Sequence, residues 1–303
     1  MTDHKEFLAA LPTGLREEMV ARSNRAGLLH LVGHLGLILL VGTLIGLGVP
    51  GWRVLVPVQG VLIVFLFTLE HEATHRTPFA SERLNDEVGR VAGFLLLLPF
   101  EWFRFFHLAH HRWTNIEGKD PELAGEKPAT RLAWAWHVSG IPYWVAEVRL
   151  MARLVLGRVD DAFVPPTATG RVVREARGMA VGYLIVAVNP LLWPLAWWVW
   201  ILPVLLGQPV LRLYLLAEHG DCPRVANMFE NTRTTFTNRV VRFLAWNMPY
   251  HVEHHVWPQV PFHRLPDLHR MMREELRVTA DGYAAFTKAY LARRPRWTEK
   301  AGE

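Results

Sequence analysis

The sequence predicts an all-α integral membrane protein: four transmembrane helices in two hairpins, with a helical cytoplasmic cap that carries clustered histidines. Three observations predict it. The 303-residue chain is 51% hydrophobic and holds 13 Trp, which is rich for a water-soluble protein. Two apolar regions are each long enough to cross a bilayer core twice, at roughly 20 residues per crossing. Basic residues are almost absent from the short turns those crossings would need.

The stretch up to Gly27 mixes charged and polar residues, so no signal peptide is expected and the first span itself targets the chain. Residues 28–49 are apolar except for His30, His34 and Thr43, and only Pro50, Gly51, Trp52 and Arg53 separate them from a second apolar run, residues 54–70. Together these read as the first hairpin.

Residues 71–177 follow as one part of the cap. Within it, the aromatic patch Val91 to Phe106 is interrupted by Pro99, Glu101 and Arg104, which favours a segment lying in or dipping into the interface. Trp134, Trp136 and Trp144 with Arg149, Arg153 and Arg158 suggest a helix against the headgroups, and Asp160 to Gly170 reads as a loop.

The second hairpin is expected at residues 178–195 and 199–218, turning near Trp193, Trp197, Trp198 and Trp200. Residues 219–303 complete the cap, ending in an amphipathic helix with Leu268, Met271, Met272 and Leu276 on one face. Only Arg53 falls in the inter-span turns, and Arg212 lies within the fourth span. By the positive-inside rule the N-terminus and both cap segments face the cytoplasm. The expectation is a single domain over residues 1–303 in a bacterial inner membrane.

The net charge of +5 calls for no nucleic acid as partner. With Cys222 alone, neither a disulfide within the chain, a four-cysteine iron–sulfur cluster nor a cysteine-based zinc site is available. A metal would rest on histidines and carboxylates.

Three clusters supply them: His71-Glu-Ala-Thr-His75, His107-Leu-Ala-His110-His111 and His251-Val-Glu-His254-His255. On a helix, residues three and four apart share a face, roughly 6 Å apart along the axis. Each cluster therefore presents two or three imidazoles in one direction. The first begins just after the second span, and His219 follows the fourth span as closely, so all nine histidines can meet at the cytoplasmic membrane surface. Glu70, Glu72, Asn115, Asp120, Glu218 and Glu253 stand near enough in sequence to orient the rings by hydrogen bonds.

Other readings compete. His71-Glu72-x-x-His75 also fits an intramembrane zinc protease, although that enzyme needs one zinc and leaves six histidines unexplained. A non-enzymatic metal or haem carrier is a further alternative. His30 and His34 are expected to hydrogen-bond within the helix bundle, and His4, His137, His263 and His269 to be surface or structural residues.

The clusters resemble, in order, the three histidine boxes of the membrane fatty acid desaturase family, H-x3/4-H, H-x2/3-HH and H/Q-x2-HH. The runs Thr114-Asn115 to Asp120-Pro121 and Asn247-Met-Pro-Tyr250 look familial too, and the resemblance covers roughly Glu70 to Pro266. It implies two iron ions held by the boxes, with His219 in the place of a further ligand after the last span. It also implies O2-dependent insertion of a double bond into an acyl chain on lipid, CoA or carrier protein. A water-mediated asparagine ligand found in some members has no clear match. No His-Pro-Gly-Gly signature of a fused b-type cytochrome is present, so an external donor is expected, a ferredoxin or a b-type cytochrome with its reductase. A di-iron hydroxylase, or a desaturase of a sphingoid, carotenoid or small amino-acid-derived substrate, is the alternative within the class.

Overall fold

The computed structural model describes residues 3–125 and 127–295. It is helical nearly throughout; the strands among the described residues are the short parallel pair Thr234–Thr235 and Thr279–Ala280. Two short N-terminal helices, His4–Ala10 and Thr13–Met19, precede the first long one. The Asp3 side chain starts the chain of helices by closing a capping box with Glu6.

Asn24–Gly46 begins where Ser23 Oγ accepts the Ala26 N–H. It ends in a turn through Gly48 and Gly51, at φ +62° and +78°, a conformation that favours glycine. Trp52–Val64 then runs back and continues, after a break at Phe65, as Leu66–Thr74. The expected first hairpin is present in this form.

Three stretches are long and apolar enough to cross a membrane: Thr13–Gly46, Trp52–Thr74 and Leu192–His219. Many of their side chains are apolar yet exposed, Leu29, Val32, Leu39 and Val54 among them. Water would penalise such a belt and lipid would not.

The second hairpin differs in detail from the sequence expectation. The reversal falls at Asn189–Leu191, where Asn189 Oδ1 accepts the N–H groups of Leu191 and Leu192, at 2.9 and 3.1 Å. The tryptophans lie beyond it, inside the 28-residue stretch Leu192–His219, which includes a π-helical turn at Trp197–Ile201. The preceding helix, Thr169–Val188, carries Arg171, Arg174, Glu175 and Arg177 in its first half and is not among the three apolar stretches.

A fourth candidate crossing is bent. Glu82–Leu96 and Phe100–Trp113 meet at 101° around Leu97, which is left-handed at φ +62°, and Pro99. This is the aromatic patch expected to dip into the interface, and its geometry is that of a broken span or re-entrant segment.

Close helix packing fixes the centre. A Cβ on Gly60 would lie 2.1 Å from Pro203 O, and one on Gly207 would lie 2.4 Å from Gly60 O. Trp52–Val64 and Leu202–His219 thus cross backbone to backbone, as small residues allow in a membrane. Gln59 Nε2 adds a bond to Val199 O, 3.1 Å, in the π-helical turn. Leu66, Leu69, Phe79, Trp246 and Met248 belong to the main buried core, which also holds Val252 and Val256 of the last histidine-bearing helix.

Candidate metal centre

Four helix segments deliver the histidines. His71 and His75 lie at the end of Leu66–Thr74; His107, His110 and His111 on Phe100–Trp113; His219 is the last residue of Leu202–His219; His251, His254 and His255 lie on His251–Val256. The spacings of three and four keep each set on one helix face. The structure brings all nine together.

They divide into two groups that could each hold a metal ion. Ligand atoms of His71, His107, His111 and His254 lie within 4.8 Å of one another, as do those of His110, His219 and His255. His75 joins the first group, its Nε2 2.8 Å from His107 Nε2, and His251 joins the second, its Nε2 3.1 Å from His219 Nε2. The groups share a wall, because the rings of His111 and His255 stack 4.1 Å apart at 8°.

The residues fit metal ions. Nitrogens bound side by side to one ion at about 2.1 Å lie about 3 Å apart, close to the 2.8 to 3.2 Å found within the groups. Among the described residues, both ring nitrogens of His111 and His254, and Nε2 of His255, are buried without a hydrogen-bond partner. Burial also pushes His251, His254 and His255 below the ordinary histidine range, so their lone pairs are free. Neutral imidazole suits iron, zinc, copper and nickel alike, so the ligand set alone does not name the metal.

His110 differs. Its Nδ1 lies 2.9 Å from Asp120 Oδ1 and 3.1 Å from Oδ2, which aims Nε2 at His219. Asp120 is fixed in turn by the N–H groups of Asn115 and Glu122, at 2.7 and 2.9 Å.

The other orienting contacts are varied. Glu218 Oε1 lies 3.4 Å from His251 Nδ1, and Glu72 Oε2 lies 3.7 Å from His254 Nδ1, both near the rings without a hydrogen bond among the described residues. Asn115 sits one step back: its Nδ2 donates to Asn231 O, the carbonyl that faces His219 Nδ1 at 3.2 Å. Glu253 is directed at His269 and Thr234, and Glu70 stands beside Gly93 with both oxygens buried and unpaired among the described residues. Thr114, whose Oγ1 lies 3.2 Å from His255 Nδ1, and Asn231 are orienting groups that sequence reasoning did not single out. Thr114 sits in a run that already looked familial; Asn231 left no signal.

His30 and His34 stay outside the site. His30 Nε2 is 2.7 Å from Phe243 O, and His34 Nε2 is 2.9 Å from Leu62 O while its Nδ1 accepts the Trp246 N–H.

A cavity of about 370 Å³ opens onto both groups, exposing His71, His107, His110, His219 and His251. Its lining includes the apolar Phe67, Leu98, Trp102, Phe103 and Phe106 and the polar Lys127, Tyr143, Glu147 and Arg212.

Residues 50–287 match the family model described as fatty acid desaturase. The chain is 31% identical to an sn-1 oleoyl-lipid 12-desaturase of Picosynechococcus over 118 residues, 36% of this chain and 34% of that protein. It is 22% identical to a chloroplastic omega-6 fatty acid desaturase of Glycine max over 242 residues, 71% of this chain and 54% of that one. A sphingolipid delta(4)-desaturase of Rattus norvegicus is 24% identical over 208 residues, 67% and 60% of the two chains. The chain thus spans about half or less of the length of the first two of these relatives. The family match covers most of the chain and includes all three boxes, and the protein belongs to the fatty acid desaturase family.

Proposed function

We propose that this chain is a membrane-bound di-iron desaturase that introduces a double bond into a fatty acyl chain. The observation that carries the reading is the pair of imidazole groups opening onto one cavity with an aromatic, apolar wall. His71, His75, His107, His111 and His254 would hold one iron, and His110, His219, His251 and His255 the other. When bound, the two irons supply activation of O2, which with two external electrons and two protons takes two hydrogens from adjacent carbons and leaves two waters.

The chain's own residues do the rest. Phe67, Phe103 and Phe106 exclude water and press a hydrocarbon chain against the histidine wall. Asp120 keeps His110 in the tautomer that presents Nε2 inward, and the Glu218 carboxyl stands beside His251. The electrons come from an external donor, a ferredoxin or a b-type cytochrome with its reductase, on the cytoplasmic side where the boxes lie.

The relatives' names, an oleoyl-lipid desaturase and omega-6 fatty acid desaturases, support an acyl substrate. The protease reading finds less support: Glu72 is fully buried, with Oε1 taken by the Phe262 N–H at 2.8 Å, so it is poorly placed to activate water in the cavity.

The test is lipid mass spectrometry of a host expressing the chain or its His110→Ala, His111→Ala variant. An acyl species two mass units lighter, absent with the variant, supports desaturation. A species sixteen units heavier in its place supports hydroxylation and removes the desaturase reading.

A further inference from the structure

Arg212 is a cation inside a helix long and apolar enough to cross a membrane, a placement that is costly there and usually functional. Its surroundings are only partly satisfied. Nε donates to Gln208 Oε1 at 3.2 Å, and the guanidinium stacks 4.3 Å from the centre of the Tyr143 ring. Nη2 is buried and has no hydrogen-bond partner among the described residues. Across the cavity wall, Glu147 is 9% exposed and its Oε2 is likewise buried and unpartnered. No ion pair within 4.0 Å joins the two among the described residues.

Native proteins rarely strand buried polar atoms, and orphans on residues that line a cavity point to a ligand that completes them. A bare hydrocarbon would complete neither group. Arg212, Tyr143 and Glu147 line the same cavity as His71, His107, His110, His219 and His251.

We infer that this end of the cavity is a polar subsite in which Arg212, beside Tyr143 and Glu147, binds a carbonyl or carboxylate oxygen of the substrate. Burial pushes the Glu147 carboxyl up to about 8, with Arg212 offsetting only part of the effect, so at neutral pH it carries a proton and adds a donor instead of a repelling charge. The consequence concerns substrate class. The oxygen-bearing head enters the chamber of the histidines, and the carbon that reacts lies within the reach of one cavity from it. A chain threaded in tail-first, with its head left at the membrane surface, would not use these groups. The inference rests on the desaturase reading for the reaction, while the binding it describes needs no turnover.

The test is calorimetric titration of detergent-purified, iron-loaded protein with octanoate, methyl octanoate and octane, in the wild type and in Arg212→Met and Arg212→Lys. Acid and ester should both bind about tenfold or more tighter than octane, as expected when a charged hydrogen bond is made. Arg212→Met should erase that preference and Arg212→Lys restore part of it. Should Arg212→Met not fold, the wild-type comparison decides alone: equal binding of all three probes overturns the subsite. Tight binding of the acid that Arg212→Met leaves unchanged means the carboxylate binds iron, and also overturns it. The stated preference in a chain that yields no desaturated lipid would keep the subsite and sink the proposed reaction.

Discussion

Asp120 holds His110 through both carboxylate oxygens, 2.9 and 3.1 Å from Nδ1, across a gap of ten residues in sequence. The loop after the second box folds back so that the carboxylate also accepts the Asn115 and Glu122 N–H groups. It fixes the ring and the loop together.

Asp120→Asn should therefore lower metal retention in the second group and turnover by about 10- to 100-fold, the usual effect of losing an outer-shell partner. Iron analysis and turnover on the folded variant check this. Unchanged values would show that Glu122, 3.2 Å from the same nitrogen, suffices.

Much of the site was legible because helical spacing is local. The boxes announce themselves at i, i+3 and i+4, and His219 by its place at the end of a span. What surrounds the ligands is harder to read. Successive helical residues turn by about 100°, so Glu70 and Glu72, on either side of His71, end in different places: Glu70 beside Gly93, Glu72 near His254. Glu253, inside the third box, turns away to His269. Asn231 reaches His219 through its backbone carbonyl, a role that any residue type could fill, so no side-chain pattern marks it. The second reversal was misplaced for a similar reason: aromatic content suggested an interface turn, while the Asn189-Pro190 pair supplied the break.

His34 tests the boundary of the site. It bridges two helices and the segment after Leu202–His219 through Leu62 O and the Trp246 N–H. His34→Ala should cost about 1–3 kcal/mol for each stranded partner, lowering the melting temperature while the iron held per folded chain stays unchanged. Loss of iron from folded variant would draw the first span into the metal centre.

Gly60 tests the crossing that positions the first box. Any side chain there must displace the Pro203 carbonyl, which stands 2.1 Å from its Cβ site. Gly60→Val should eliminate monodisperse protein on gel filtration in detergent, whereas Gly36→Val, with nothing within 4 Å, should leave it intact. A well-behaved Gly60→Val protein would contradict this packing.

Orientation is open to single-cysteine labelling from outside intact cells, in a Cys222→Ser background, with Arg53→Cys in the first turn and Glu117→Cys in the exposed loop after the second box. Only the cysteine at position 53 should react. Reaction at position 117 instead would put the histidines on the opposite face of the membrane.

Metal content of the detergent-purified protein, beside His254→Ala, tests the central claim most directly. The account predicts close to two irons per chain, falling in the variant as one group loses a buried nitrogen. A single zinc per chain, or iron that His254→Ala leaves unchanged, would contradict it.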